Sequence, residues 1–160
     1  MTEQSTDVRW LDDREQLVWR AFLNMHSQLS ARLNKELQDG AGLSSAEYGV
    51  LVWLSENPSG QVRILELARG LQWEKSRLSH QLTRMAARGL IERFDCSEDR
   101  RVAFIVLTDA GRDAVEAAAP IHVAGVQRYL FGALDPSQVD ALHAISQSTI
   151  DRLAAKPDAR

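Results

Sequence analysis

Ser76, Arg77, Ser79 and His80 crowd into little more than one helical turn, with Lys75 and Arg84 beside them. Hydroxyl, imidazole and guanidinium groups at this density suit the edges of bases and the oxygens of phosphates. Leu78, Leu82 and Met85 recur at i, i+4 and i+7, which is one face of a helix, and the polar set lies mostly off that face. A second basic feature is Ser97-Glu98-Asp99-Arg100-Arg101, set between residues 91–96 and 102–107, both rich in β-branched and aromatic side chains. It lacks Gly or Asn-Gly, so a longer, mobile loop is expected rather than a tight turn. A long arginine at such a tip can enter a minor groove, where a narrow groove deepens the negative potential. Asp99 is placed to orient the Arg101 guanidinium or to brace the loop. The competing readings are a solvated amphipathic helix and a solvated charged turn.

Catalytic patterns do not compete. There is no P-loop, no G-x-G-x-x-G after a strand, no G-x-S-x-G and no HExxH. His26, His80, His122 and His143 are scattered, with no Cys or His cluster at metal-ligand spacing, so neither metal nor cofactor is expected.

The recognition groups need elements to hold them. Residues 65–71 suggest a short helix. The polar set then rides on a second helix that stops at Gly89, since a left-handed residue after a helix costs least in glycine. Helix, turn, helix, strand, charged tip and strand outline a winged helix-turn-helix, which holds one helix in the DNA major groove and a hairpin beside it. Residues 62–64 could add a third strand. Upstream, Ser44 and Glu47 form a capping box for a supporting helix that stops at Asn57-Pro58-Ser59-Gly60. Before it, Val18, Phe22, Met25, Leu29, Leu33 and Leu37 mark a long first helix, capped by Asp12 or Asp13 and ending near Gly40. Downstream, Thr108 caps an Ala-rich helix that Pro120 interrupts and kinks; Ile121, Val123, Val126, Tyr129, Leu130 and Phe131 resume the apolar pattern, so one long, kinked helix is expected. Asp135 and Pro136 start a last helix, with Val139, Leu142, Ile145, Ile150 and Leu153 as its expected buried face. Trp10, Leu11, Leu17, Trp19 and Phe22 give the first helix more apolar surface than one side of a monomer usually needs. Either they pack in an ordinary core or they form a dimer interface shared with the C-terminus.

The 160 residues, 44% hydrophobic and 26% charged, fit one globular domain with dimerising arms. No apolar run is long enough for a bilayer and the N-terminus lacks signal-peptide form, so a cytoplasmic protein without membrane partners is expected. A single cysteine excludes an internal disulfide framework. The net charge of −3 hides an asymmetry. Residues 61–104 hold 9 basic and 6 acidic side chains, and the remainder holds 10 and 16. Basic charge is thus concentrated in the segment suited to phosphates.

Asp99-Arg100-Arg101, the strand after it and Leu107-Thr108-Asp109-Ala110-Gly111 resemble the D-x-R wing signature and closing L-T-x-x-G of the MarR family of bacterial transcription regulators. Leu65-Glu66-Leu67-Ala68 and the exit from Arg84-Met85 to Gly89-Leu90-Ile91 are similar to the family's helix pair and its passage into the wing. The family often has Ser or Thr before Glu-Leu-Ala, where Leu65 stands here, so the start of that helix is open. Residues 73–81 are similar to an actinobacterial-looking subgroup. The resemblance implies a fold that is mainly α with a small β-wing. Residues 44–108 would be the winged helix-turn-helix DNA-binding core, flanked by dimerisation helices over 11–39 and 109–155 in a single domain, 1–160. It implies a homodimeric, sequence-specific DNA-binding regulator, expected to be a repressor released from a pseudo-palindromic operator by a small-molecule effector. Ser76, Arg77, Ser79 and His80 would meet bases and nearby phosphates, Lys75 and Arg84 phosphates, and Arg101, with Arg100 second, the minor groove. Trp19, Met25, His26, Tyr48 and Trp53 are plausible walls of an effector pocket, or simply core. Three alternatives remain: a redox-responsive regulator acting through Cys96, although the family's peroxide sensors carry their cysteine near the N-terminus; a constitutive or activating DNA binder with no effector; and a winged-helix protein-interaction module.

Overall fold

The structure, a computed structural model, describes residues 8–95 and 103–155. Its first helix, α1 (Asp13–Ala41), begins where the Asp12 carboxylate accepts from the Glu15 N–H while Glu15 accepts from the Asp12 N–H. It passes through Gly40 and stops at Gly42, whose φ of +64° supplies the left-handed turn. Gly40 serves packing instead. A Cβ there would lie 2.8 Å from the Ile121 Cδ1, so glycine lets that side chain approach without having to shift. The helix α2 (Ser45–Ser55) starts at the expected capping box, with Ser44 and Glu47 each accepting from the other's backbone N–H.

β1 (Gln61–Arg63) leads directly into α3 (Ile64–Gly70), so the added strand lies one residue earlier than 62–64. No side chain caps α3; the extended backbone of Arg63 sets its start. The chain then turns through Gln72, a non-glycine residue with a φ of +55°, into α4 (Lys75–Ala87). Gly89, with a φ of +71°, ends α4 in a Schellman motif. Its N–H donates to the Ala86 carbonyl and the Leu90 N–H to that of Met85, at 2.9 and 3.1 Å. β2 (Ile91–Asp95) and β3 (Ala103–Leu107) complete a three-stranded antiparallel sheet in the order β1-β3-β2. Val62 stands opposite Ile105 and Ile91 opposite Leu107.

Thr108 caps α5 (Asp109–Tyr129) by accepting from the Gly111 N–H at 3.0 Å, and donates to the Gly89 carbonyl at 2.7 Å. As the resumed apolar pattern leads one to expect, α5 continues through Pro120 as one long helix. A proline removes one backbone donor, and the helix is retained by packing along α1. There Gly125 lets Leu33 and Glu36 approach, and Glu36 accepts from Arg128 and Tyr129, both at 2.7 Å. A short 3-10 turn, Phe131–Ala133, precedes α6 (Pro136–Ala154), with Asp135 as cap and Pro136 in its first position.

Leu37, Leu51, Leu54, Leu67, Leu78, Met85 and Ile105 are among the residues that bring the end of α1, the helices α2 to α4 and the sheet onto one buried core. α6 takes no part in it. Ile145, Ile150 and Leu153 are 66%, 57% and 80% exposed, and Val139 and Leu142 are half-buried, so the expected buried face is not buried within one chain. The physical reason is that no other described element of the chain covers the stripe from Ile145 to Leu153. The start of α1 is alike: Trp10, Leu17 and Trp19 are exposed, and Leu37 is the buried member of the long stripe from Val18.

Candidate nucleic-acid interface

The outer face of α4 exists because its inner face is anchored. Leu78, Leu82 and Met85 are buried, as their spacing requires, and Gln81 joins them at 4% exposure. Lys75, Ser76, Arg77, Ser79, His80 and Arg84 are all exposed, so the structure brings the six predicted helix residues onto one accessible surface. Helical periodicity sets Ser76 and His80 opposite the buried stripe, with Arg77 and Arg84 along one flank and Ser79 along the other. Ser79 lines the cleft between α4 and the sheet, a space of about 190 Å³ shared with Thr83, Ala86 and Arg93.

Several of these groups are already held. The Arg77 guanidinium lies over the Trp73 ring, 4.3 Å from its centroid. Arg84 donates to the Gln81 side-chain oxygen, which gives a buried polar residue a partner and draws the guanidinium along the helix. At the C-terminal end Arg88 donates to the Glu47 carboxylate and, at 3.0 Å, to the Gly42 carbonyl, so α4 is tied to the α1–α2 junction. Glu47 is 8% exposed. Burial opposes its ionised form, yet hydrogen bonds from Ser44 and the charge of Arg88 together hold its pKa below the ordinary value.

The wing is built on Thr108 and Gly111. A Cβ on Gly111 would lie 2.0 Å from the Leu90 carbonyl oxygen, so only glycine lets α5 start against the turn that leaves α4. Phe94 pairs across the hairpin with Phe104, over which the Arg63 guanidinium lies at 5.7 Å. Asp95 pairs with Ala103 at the end of the hairpin. Cys96, Asp99, Arg100 and Arg101, and with them the expected loop and its minor-groove contact, lie outside the described residues.

Four contributors escaped the sequence. Trp73 and Gln81 hold predicted arginines. Thr83 is exposed on the outer half of α4, its hydroxyl donating to the Ser79 carbonyl at 3.0 Å. Glu47 is visible in the sequence as a cap but not as the partner of Arg88. The i, i+4 spacing of Trp73 and Arg77 and the i, i+3 spacing of Gln81 and Arg84 are the available signals. The pocket-wall candidates do not meet. Trp19 lines a groove between α1 and α6, Met25 one between α1 and the end of α5, and Tyr48 meets His122 in a tilted ring contact at 4.8 Å. Trp53 lies against Gly70, and His26 stacks on Phe22 at 6.3 Å.

Comparison with known proteins places this geometry. A profile described as "MarR family" matches residues 43–103, from just before α2 to the start of β3. Sco3205, a MarR family transcriptional regulator from Streptomyces coelicolor solved in complex with DNA, is 36% identical, with a TM-score of 0.87, covering 96% of this chain and 97% of that one. AbsC, a MarR family transcriptional regulator from the same organism, is 38% identical with a TM-score of 0.85, covering 93% of this chain and all of that one, 100%. The transcriptional repressor MprA of Escherichia coli is 26% identical over 141 residues, 88% of this chain and 78% of MprA.

Proposed function

The chain belongs to the MarR family of transcription regulators, and from that premise we propose that it is a homodimeric repressor that leaves its operator when a small molecule binds. It is a regulator and not an enzyme. The observation that carries the DNA-binding reading is the exposed polar and basic face of α4, anchored through Leu78, Leu82 and Met85. Ser76, Arg77, Ser79 and His80 meet base edges and adjacent phosphates, and Lys75 and Arg84 meet phosphates. Arg101, with Arg100 second, enters the minor groove while Asp99 holds the tip. Sco3205 was solved with DNA, and MprA is named a repressor, which supports both parts of this reading.

In this reading the chain is one domain, with residues 44–108 reading DNA and residues 11–39 and 109–155 forming the dimer. The bare apolar stripes on α1 and α6 favour that division, since exposed apolar surface of this extent marks an interaction site. Two copies of α4 then enter successive major grooves of a pseudo-palindrome, about 34–36 Å apart. An effector acts by preferring a spacing of the two lobes that misfits the operator, a shift of population between pre-existing arrangements. Such a regulator works beside the chromosome, in the cytoplasm; no helix among the described residues is long and apolar enough to cross a membrane.

The test is a fluorescence-anisotropy titration against a duplex from the region upstream of the protein's own gene, with a scrambled duplex alongside. Tight binding to the first and weak binding to the second is expected. Equal binding to both at every salt concentration would contradict a specific regulator of that site.

A further inference from the structure

Arg77 differs from the other arginines of α4 and its C-cap. Arg84 spends a donor on Gln81 and Arg88 spends two on Glu47 and Gly42. Arg77 is held through its face instead, 4.3 Å above the Trp73 ring. A cation above an aromatic face is attracted by the ring's quadrupole, which leaves the in-plane N–H groups of a guanidinium unspent. Among the described residues, no hydrogen bond or ion pair occupies them. The geometry follows from the helix. Long side chains lean towards the N-terminus of their own helix, and Trp73 lies four residues before Arg77, just outside the first turn.

The ring is itself fixed. The backbone N–H of Trp73 donates to the Ala68 carbonyl at 2.9 Å, and the half-buried side chain packs against the core that carries α3. A free arginine samples many rotamers, and freezing them on binding weakens a complex. Stacking removes part of that loss before DNA arrives. The first turn of such a helix is the part that meets base edges in the major groove. A planar guanidinium with two free parallel N–H groups matches the O6 and N7 acceptors of guanine.

We propose that Trp73 is a positioning residue for base recognition, holding the Arg77 guanidinium flat so that its free edge reads one guanine in each half-site. This rests on the DNA-binding reading above and names the base and the device that reads it.

The experiment begins by selecting a preferred duplex from randomised sequences with the wild-type protein, then changing it one base pair at a time. Trp73→Leu should weaken binding on the order of 3- to 10-fold, the range of a stacked cation pair. It should also lose preference at one G·C pair per half-site, the same pair that Arg77→Ala loses. Trp73→Phe, which keeps an aromatic face, should restore most of both. In an Arg77→Ala background Trp73→Leu should have no further effect. Thermal melting checks that each variant is folded, and Trp73→Met repeats the test should Leu disturb the core.

Equal additional loss from Trp73→Leu in the Arg77→Ala background would overturn the proposal, as would a loss spread evenly over all base variants. Wild-type affinity and base preference in Arg77→Ala would overturn it while leaving the wider DNA reading standing. Failure of any duplex to be enriched would remove both.

Discussion

Arg88, the residue that follows α4, is bonded to Glu47, which lies within the first turn of α2 and completes that helix's capping box. One carboxylate therefore serves two ends: the Ser44 backbone at the start of α2 and the guanidinium at the end of α4. The pair sets the angle at which α4 leaves its support. Because Arg88 is half-exposed and Glu47 is largely buried, its worth lies between a surface and a buried ion pair. Arg88→Ala should lower stability by about 1–2 kcal/mol, measured by urea unfolding. An unchanged midpoint would contradict this role.

The same carboxylate gives a pH dependence with a definite sign. Its folded pKa lies below the ordinary glutamate value of 4.5, so the unfolded chain binds the proton more readily. The stabilisation is fully present above the unfolded value and is lost as pH falls through the folded one. Glu47→Gln should therefore flatten the decline of melting temperature in that acid window. An identical decline in both proteins would contradict the assignment.

Gly111 and Gly49 make a matched pair of glycine tests. A Cβ at Gly111 meets the Leu90 carbonyl at 2.0 Å, whereas one at Gly49, inside α2, meets nothing within 4 Å. Gly111→Ala should destabilise strongly, by roughly 3 kcal/mol or more, because backbone must move. Gly49→Ala should stabilise by about 0.5–1 kcal/mol through helix propensity. The two melting temperatures should shift in opposite directions, and a shift of the same sign would contradict the packing described.

How much of the fold is legible in the sequence follows from where each signal resides. Ser44 and Glu47, Asp135 and Pro136, Thr108 and Gly89 act through neighbours a few residues away, so their positions announce the helix ends. The start of α3 does not, because the extended backbone of Arg63 replaces a side-chain cap. Gln72 hides a left-handed turn that a glycine would have advertised. Gly40 looks like a stop in the sequence because packing against Ile121 is not a local property. The six exposed residues of α4 follow from periodicity alone. Glu47 does not reveal its partner there, since Arg88 reaches it from 41 residues away, whereas Gln81 and Arg84 are neighbours at i, i+3 on one helix. Periodicity also locates the apolar face of α6, but it does not say what covers that face.

Gln72 carries a strain that can be measured. A side chain at a φ of +55° costs on the order of 1 kcal/mol relative to glycine. Gln72→Gly should be neutral or slightly stabilising, and Gln72→Val, with a β-branched side chain in the left-handed region, should lower stability by at least about 1 kcal/mol. Urea midpoints in the reverse order would contradict a strained turn between α3 and α4.

The exposed stripes predict an assembly. Leu17 is 71% exposed and Leu153 is 80% exposed, both on helices proposed to form the dimer. Leu17→Asp and Leu153→Asp should each shift the protein from dimer towards monomer in sedimentation equilibrium. Wild-type protein that sediments as a monomer at every concentration would contradict the dimer reading.

Contact between the outer face of α4 and DNA is tested most directly by the salt dependence of binding. Each phosphate contact contributes about −0.9 to the slope of log K against log salt. Arg84→Ala and Lys75→Ala should each make the slope of operator binding shallower by about 1 and weaken binding to all sequences alike. Slopes that match the wild type in both variants would mean that these residues do not meet phosphates, and would contradict the placement of α4 on the duplex.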